Sequence, residues 1–276
     1  MSHGISQRIK ERFHTLTLTM QQVAKYIIYN TENLNNISAR EIAEQTKVST
    51  ATVIRTVKAL GYDDYHSFKV DISNLLSDDK RALRNFINTT TLVEDDWLNK
   101  HFEQESENIL RSSDNISQTE IDLAAELLLN ANHIYTAGWR LGTSVSNHLQ
   151  FTLKYMLGNA TNIPQGLAPD YATYFKKGDV LVVTSFPRYD SILLKLCKAA
   201  REKGVYVISI TDKENASIRT LSNINFEVST TSYGFLDSYT AAVSVSNAMI
   251  KSLTMLGDAR IKENIESIEA HYKSFN

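Results

Sequence analysis

The sequence is poor in the residues that cross-link a chain and in those that interrupt regular structure. Its 276 residues hold one cysteine, three prolines and ten glycines. A lone Cys197 excludes an internal disulfide and a thiolate metal cluster within one chain. Its neighbours Leu193, Leu194 and Leu196 mark it as a small buried thiol. The prolines fall together, at Pro164, Pro169 and Pro187, so nothing earlier is broken by proline. Glycine is as sparse at the start: after Gly4 come Gly61 and then Gly138. The first half is therefore expected to be helical, with Gly61 as punctuation. No stretch approaches the roughly 20 apolar residues of a membrane helix, and Met1 to Arg12 lacks the apolar run of a signal peptide. A cytoplasmic protein with no membrane partner is expected. His101, His133 and His148 fall on different elements without ligand spacing, so neither a metal nor another cofactor is expected.

The formal net charge is −2. Residues 1–76 carry nine Lys/Arg against seven Asp/Glu, so the chain opens mildly basic and the remainder is acidic. That balance permits nucleic-acid binding without establishing it. From Met20 the apolar residues Val23, Tyr26, Ile27 and then Ile42, Ala43 recur at helical spacing, interrupted at Asn33 to Asn36. Ser38 stands three residues before Glu41, a spacing that lets hydroxyl and carboxylate cap orphan amides reciprocally and start a helix at Ala39. After Lys47-Val48-Ser49, Ser49 caps a second helix, Thr50 to Leu60, closed by Gly61. Val53, Val57 and Leu60 form its apolar stripe, leaving Thr50, Thr52, Arg55, Thr56 and Lys58 as a hydroxyl-rich, cationic face. That arrangement is helix, turn, helix. Short side chains and cations near the start of a recognition helix suit approach to base edges and phosphates. A small bundle with a merely solvated polar face has the same periodicity.

A polar break at Ser77-Asp78-Asp79-Lys80 places a linker over 77–92 and a second domain over 93–276. A helix from about Val93 to Leu110 carries Trp97, Phe102 and Ile109, and Ser117 with Glu120 repeats the capping spacing. Short apolar segments then follow at 133–137, 160–163, 180–184, 205–211 and 224–228, separated by helical patterns. This alternation predicts a five-stranded parallel sheet flanked by helices, closed by helices from Tyr239 to Leu256 and from Ala259 to about Phe275.

From Met20 to about Asp71 the chain resembles the helix-turn-helix of the RpiR family of bacterial transcriptional regulators. The matching features are Val23-Ala24-Lys25-Tyr26-Ile27, Ile42-Ala43-Glu44, Val48-Ser49-x-Ala51-Thr52-Val53-x-Arg55, and Leu60-Gly61-Tyr62 with Tyr65, Phe68 and Lys69. The resemblance implies a DNA-binding domain over residues 1–76, with Ser38, Ser49, Thr50, Thr52, Arg55 and Lys58 at the DNA and Lys69 toward a phosphate. Asp63 and Asp64 stand where the family usually has more basic residues.

The second half is similar to the sugar isomerase (SIS) domain that follows this helix-turn-helix in the family. Its landmarks are Gly138, Lys177-Gly178-Asp179, Thr184-Ser185, Ala199-Ala200-Arg201-Glu202-Lys203-Gly204 and Ile208-Ser209-Ile210-Thr211-Asp212. The likeness implies an α/β domain that binds sugar phosphates or related molecules at the carboxyl ends of its strands, where the switch-point rule also places ligands. Two loops depart from the common pattern. In place of G-x-G-x-S the chain has Gly138-Trp139-Arg140-Leu141-Gly142, and in place of S-x-S-G-x-T it has Ser185-Phe186-Pro187-Arg188-Tyr189-Asp190. Hydroxyls leave and two arginines enter.

Arg140 and Arg188 follow strands that neighbour each other in SIS sheets, and paired guanidiniums grip a phosphate or carboxylate bidentately. The expected effector site comprises Gly138, Arg140, Gly142, Thr143, Ser144, Ser185, Arg188, Tyr189, Asp190 and Ser191. The alternative has Arg188 paired with Asp190 or another acidic side chain, and Arg140 stacked on Trp139 or Tyr189, with no anion site. The expected function is a DNA-binding regulator that senses a small anionic carbohydrate-derived metabolite, with no catalytic residue. Its partners are double-stranded operator DNA, the effector, and further copies of the chain as a homodimer or dimer of dimers. Rival readings are an SIS-fold sugar-phosphate isomerase and a ligand-free SIS scaffold.

Overall fold

The structure, a computed structural model, describes residues 5–31, 34, 37–75, 82, 85, 86, 89, 90, 96–212 and 216–275. The chain divides into two compact units, residues 1–102 with 232–237, and residues 103–231 with 238–276. The expected linker over 77–92 lies almost wholly outside the described residues. The division falls at 102/103 instead of 92/93, inside a helix.

The first unit is helical, as the scarcity of glycine and proline predicts. Its elements are α1 (Ile5–Arg12), α2 (Leu18–Tyr29), α3 (Ala39–Gln45), α4 (Thr50–Ala59) and α5 (Tyr65–Leu75). Their apolar stripes meet in one core containing Ile9, Val23, Ile27, Ile42, Val53, Val57, Leu60, Phe68 and Ile72. Each such aliphatic side chain, removed from water, stabilises by about 1.5–3 kcal/mol. The helix α1, unassigned by periodicity, is held in that core by Ile5 and Ile9, one turn apart.

The helix α6 (Trp97–Ser113) runs from the first unit into the second. It begins four residues later than the expected Val93. The second unit continues with α7 (Gln118–Asn130), β1 (Ile134–Ala137), α8 (Gly142–Leu157), β2 (Ala160–Asn162) and α9 (Ala168–Tyr174). There follow β3 (Val180–Ser185), α10 (Ser191–Glu202), β4 (Tyr206–Thr211), α11 (Ala216–Arg219), β5 (Ile224–Glu227), α12 (Thr240–Met255) and α13 (Ala259–Phe275). Strands pair in the order β2-β1-β3-β4-β5, every pair parallel. The central β3 is buried along its whole length, as a strand covered on both faces must be. Val180 and Val182 join α7, α8 and α12 on one face, while Leu181 and Val183 meet α10, Phe175 and Ala168 on the other. All five apolar segments read from the sequence are strands. Among the described residues no helix is long and apolar enough to cross a membrane.

Cys197 lies fully buried against the second face, and burial pushes its thiol up to about 12. The folded protein at about pH 8 is therefore expected to leave an aromatic disulfide reagent untouched, and the denatured chain to release one reagent anion per molecule. Stoichiometric reaction without denaturant would contradict the burial.

Candidate functional site

The turn between α3 and α4 shows how local chemistry positions a recognition helix. Ser38 Oγ accepts from the Glu41 amide at 3.2 Å while the Ser38 amide donates to Glu41 Oε2 at 2.7 Å, a closed capping box. Hydrogen bonding by the Ser38 side chain and by its amide holds the Glu41 carboxyl below its usual range. At the other end the Val48 amide reaches back to the Ala43 carbonyl at 2.9 Å, and Lys47 takes a left-handed φ of 54°. This is a Schellman turn with lysine where glycine is usual. Val48 packs against the core, as its place in the sequence suggests. Ser49 then caps α4, its Oγ accepting from the Thr52 amide at 3.1 Å.

On α4 the expected DNA-facing residues separate into two groups. Ser49, Thr50, Arg55 and Lys58 are exposed together with Ala51, which stands outside the expected DNA-facing set. Thr52 and Thr56 are buried and leave the expected solvent face. The Thr52 hydroxyl lies 2.9 Å from Ser49 Oγ, and the Thr56 hydroxyl donates to the Thr52 carbonyl at 2.8 Å. A hydroxyl that satisfies itself within the helix can face the core, which hydropathy alone misses. Arg55 Nη2 lies 3.4 Å from Thr52 Oγ1, so Thr52 acts beneath the arginine. Ser38 spends its hydroxyl on its own helix cap. Lys69 also departs from expectation: its ammonium donates to the Ile37 carbonyl at 3.0 Å and to that of Leu34, and burial lowers its pKa. It ties the segment before α3 to α5.

In the second unit the order β2-β1-β3-β4-β5 reverses direction between β1 and β3, which makes their carboxyl ends the switch point. The turn leaving β1 is packed without slack. A Cβ on Gly138 would stand 1.9 Å from Thr184 Oγ1 and 2.7 Å from the Gly142 carbonyl oxygen, and a Cβ on Gly142 2.8 Å from the Thr184 carbonyl oxygen. Thr184 Oγ1 in turn donates to the Gly142 carbonyl at 2.8 Å. Gly138 and Gly142 therefore serve close packing between the β1–α8 turn and β3. The Trp139 indole N–H donates to Ile163 at 3.0 Å and pins the same turn to the end of β2.

Arg140 and Arg188 follow these two adjacent strands, and both adopt left-handed backbone, with φ of 55° and 68°. In the common SIS pattern each of these positions is glycine. A left-handed side-chain-bearing residue costs about 1–2 kcal/mol, and here that strain holds an arginine at each strand end. Both are exposed, and among the described residues neither guanidinium has an ion pair, hydrogen bond or ring contact. The alternative pairing of Arg188 with Asp190 is not found. Asp190 instead caps α10, with one oxygen accepting from the Ile192 amide at 2.8 Å and the other from Gln165. Tyr189 directs its hydroxyl to both oxygens of the buried Asp212, at 2.7 and 2.8 Å, and so ties this loop to the end of β4.

The hydroxyls are divided as well. Thr143 and Ser144 are exposed but return hydrogen bonds to the Gly138 and Leu141 carbonyls, at 3.1 and 2.8 Å. Ser185 is buried, its carbonyl accepting from Thr211 at 2.6 Å, and Ser191 is exposed at the start of α10. The amides of Gly142, Thr143 and Ser144 bond back to Trp139, Arg140 and Leu141, so the start of α8 is a closed turn. The side-chain donors of these two turns that face solvent without a bond back to their own turn are therefore those of the arginines and of Ser191, among the described residues.

The isomerase reading requires a general base over the sugar. Glu202 ends α10, which returns antiparallel to the strands and carries it to their amino-terminal edge, opposite the switch point. His148 Nε2 lies 2.8 Å from Asn247 Oδ1 on α12. Among the described residues no cluster of His, Cys, Asp or Glu is arranged to hold a metal. Replacing Gly138 with alanine is expected to destabilise the fold by about 1–3 kcal/mol, read as a lowered denaturant midpoint. Gly166→Ala, with nothing within 4 Å of the added methyl, serves as the neutral control.

Comparison with known proteins supports the reading in both units. Residues 3–79 match the helix-turn-helix domain of the rpiR family and residues 127–252 match the SIS domain. The chain is 25% identical to an uncharacterised HTH-type transcriptional regulator of Clostridium perfringens, over 98% of this chain and 97% of that protein. It is 26% identical to the HTH-type transcriptional regulator HexR of Pseudomonas aeruginosa, over 75% of this chain and 73% of that one. Among solved structures it is similar in fold to the Vibrio vulnificus NanR protein complexed with ManNAc-6P, with a TM-score of 0.61, 17% identity and 99% of each chain covered. A DNA-binding helix-turn-helix of rpiR type followed by a five-stranded SIS domain makes this chain a member of the RpiR family of transcriptional regulators.

Proposed function

We propose that this regulator senses a small anionic carbohydrate derivative, a sugar phosphate or sugar acid, between the carboxyl ends of β1 and β3. The observation that carries the reading is the pair of exposed guanidiniums without a partner among the described residues, each in left-handed backbone beside the switch point. An oxyanion with two or three equivalent oxygens suits two planar donors approaching from adjacent strands. Ser191 and Thr143 stand close in sequence to these arginines and supply hydroxyls for the sugar. The similarity in fold to NanR, a protein solved with ManNAc-6P, supports the same ligand chemistry. Asp190 and Tyr189 shape the loop and do not grip the ligand. The role is non-enzymatic, in keeping with relatives named as transcriptional regulators.

DNA is read by the exposed residues of α4, with Arg55 as the main base contact and Lys58 on the backbone. The chain works as a homodimer or dimer of dimers, since one recognition helix covers only a half-site. The effector acts by binding one quaternary arrangement more tightly than another, shifting their populations and so the operator affinity.

Two substitutions separate the sites. Arg55→Ala is expected to weaken binding to DNA from the regulator's own upstream region by about 1–3 kcal/mol, roughly 5- to 150-fold in a gel shift. Arg188→Ala is expected to leave effector-free DNA binding intact and to abolish the response to a panel of sugar phosphates and sugar acids. Loss of DNA binding together with the response would make Arg188 structural.

A further inference from the structure

The end of α4 opposite its DNA-facing start is completed by side chains from α1. A helix leaves its last four carbonyls without intrahelical partners. In α4 the Thr56 carbonyl accepts from Leu60, Lys58 from Gly61, and Val57 from Tyr62. The Ala59 carbonyl is taken by Arg12 Nη1 at 3.0 Å, and that of Gly61, the residue that closes the helix, by Arg8 Nη1 at 2.6 Å. Gly61 has a left-handed φ of 89°, and a Cβ there would meet Arg12 Nη1 at 2.7 Å and Arg8 Nη1 at 2.9 Å. Only glycine lets both guanidiniums come so close. Arg8 also lies 4.5 Å over the ring of Tyr62, whose hydroxyl is bonded to Asp71 of α5. The two cations stand at the negative pole of the helix dipole.

We propose that Arg8 and Arg12 are positioning residues for DNA reading: by gripping the carbonyls of Ala59 and Gly61 they fix where α4 lies along and about its axis. This rests on the assignment of α4 as the recognition helix. Ten residues of helix separate the clamp from the cap at Ser49 by about 15 Å, so the arginines act through the helix and not on the bases. Ile5 and Ile9 make α1 a rigid anchor, because both are buried in the same core as Val53 and Val57. Hydrogen bonds to base edges depend steeply on distance and angle, whereas attraction to phosphates tolerates displacement. Release of the clamp therefore reduces discrimination between sequences more than it reduces general affinity.

The test uses the intact chain and a duplex enriched from a random pool by the wild-type protein, with a shuffled duplex of equal composition. The double variant Arg8→Gln/Arg12→Gln is expected to lose about tenfold on the enriched duplex, close to 1.4 kcal/mol. Its affinity for the shuffled duplex and its slope of log affinity against log salt should match the wild type. Arg12→Gln alone changes one exposed side chain, keeps the fold, and should lose about threefold. Arg8→Lys/Arg12→Lys, which retains charge and donors, should recover most of the discrimination. A salt slope that falls by about 0.9 for each arginine, with equal losses on both duplexes, would identify phosphate contacts and overturn the proposal. Unchanged discrimination in both Gln variants would overturn it as well. A wild-type chain that enriches no duplex would instead remove the DNA-reading assignment, and the clamp with it.

Discussion

The close approach of the β1–α8 turn to β3 is the constraint on which the SIS unit depends. Thr184 fills the space where Gly138 would carry a Cβ, and its hydroxyl holds the Gly142 carbonyl at 2.8 Å. With these backbones in contact, α8 begins immediately beyond the strand edge and its first amides close on their own turn. The residues between must bend sharply, and the bend at Arg140 is left-handed. The same geometry recurs after β3 at Arg188. Two tight turns on adjacent strands thus present two cations at the point where the sheet changes direction. Where the common loops carry glycine and hydroxyls, these turns carry arginine, and the first amides of α8 are taken by their own turn.

Satisfaction of helix ends organises the DNA-binding half in a comparable way. Ser38 and Ser49 cap the starts of α3 and α4, and a Schellman turn with Lys47 in left-handed backbone joins the two. Lys69 donates to the carbonyls of Leu34 and Ile37, just ahead of α3. Arg8 and Arg12 complete the end of α4. Three cations that a count of charge assigns to solvent or to DNA are therefore engaged by main-chain oxygens. The net excess of two positive charges in residues 1–76 thus overstates the cationic surface that faces solvent, where Arg55 and Lys58 are exposed.

Local patterns were legible wherever a short-range rule governs. The Ser-x-x-Glu spacings became closed capping boxes at Ser38 and Ser117, because both partners lie within one turn. The five apolar segments became strands, because a sheet covered on both faces demands continuous hydrophobic runs. Gly61 closed its helix because left-handed backbone favours glycine. Thr52 and Thr56 were misplaced by polarity, since a helical threonine can satisfy its hydroxyl within the helix and still be buried. The division of the chain at 102/103 falls within α6, a continuous helix whose sequence has no polar break to mark it.

The sequence by itself determined the elements, their order and the two family resemblances, because capping, periodicity and turn chemistry act over a few residues. Only the tertiary structure decided which charged side chains are spent. Arg12 finds its carbonyl 47 residues away and Arg8 finds its own 53 residues away, separations at which no pattern in the chain brings donor and acceptor together. Arg140 and Arg188 stand at neighbouring strand ends because parallel pairing sets β1 beside β3 across α8, β2 and α9. Whether a guanidinium holds a backbone oxygen or faces solvent is settled by the packing around it, and that packing is a property of the whole fold.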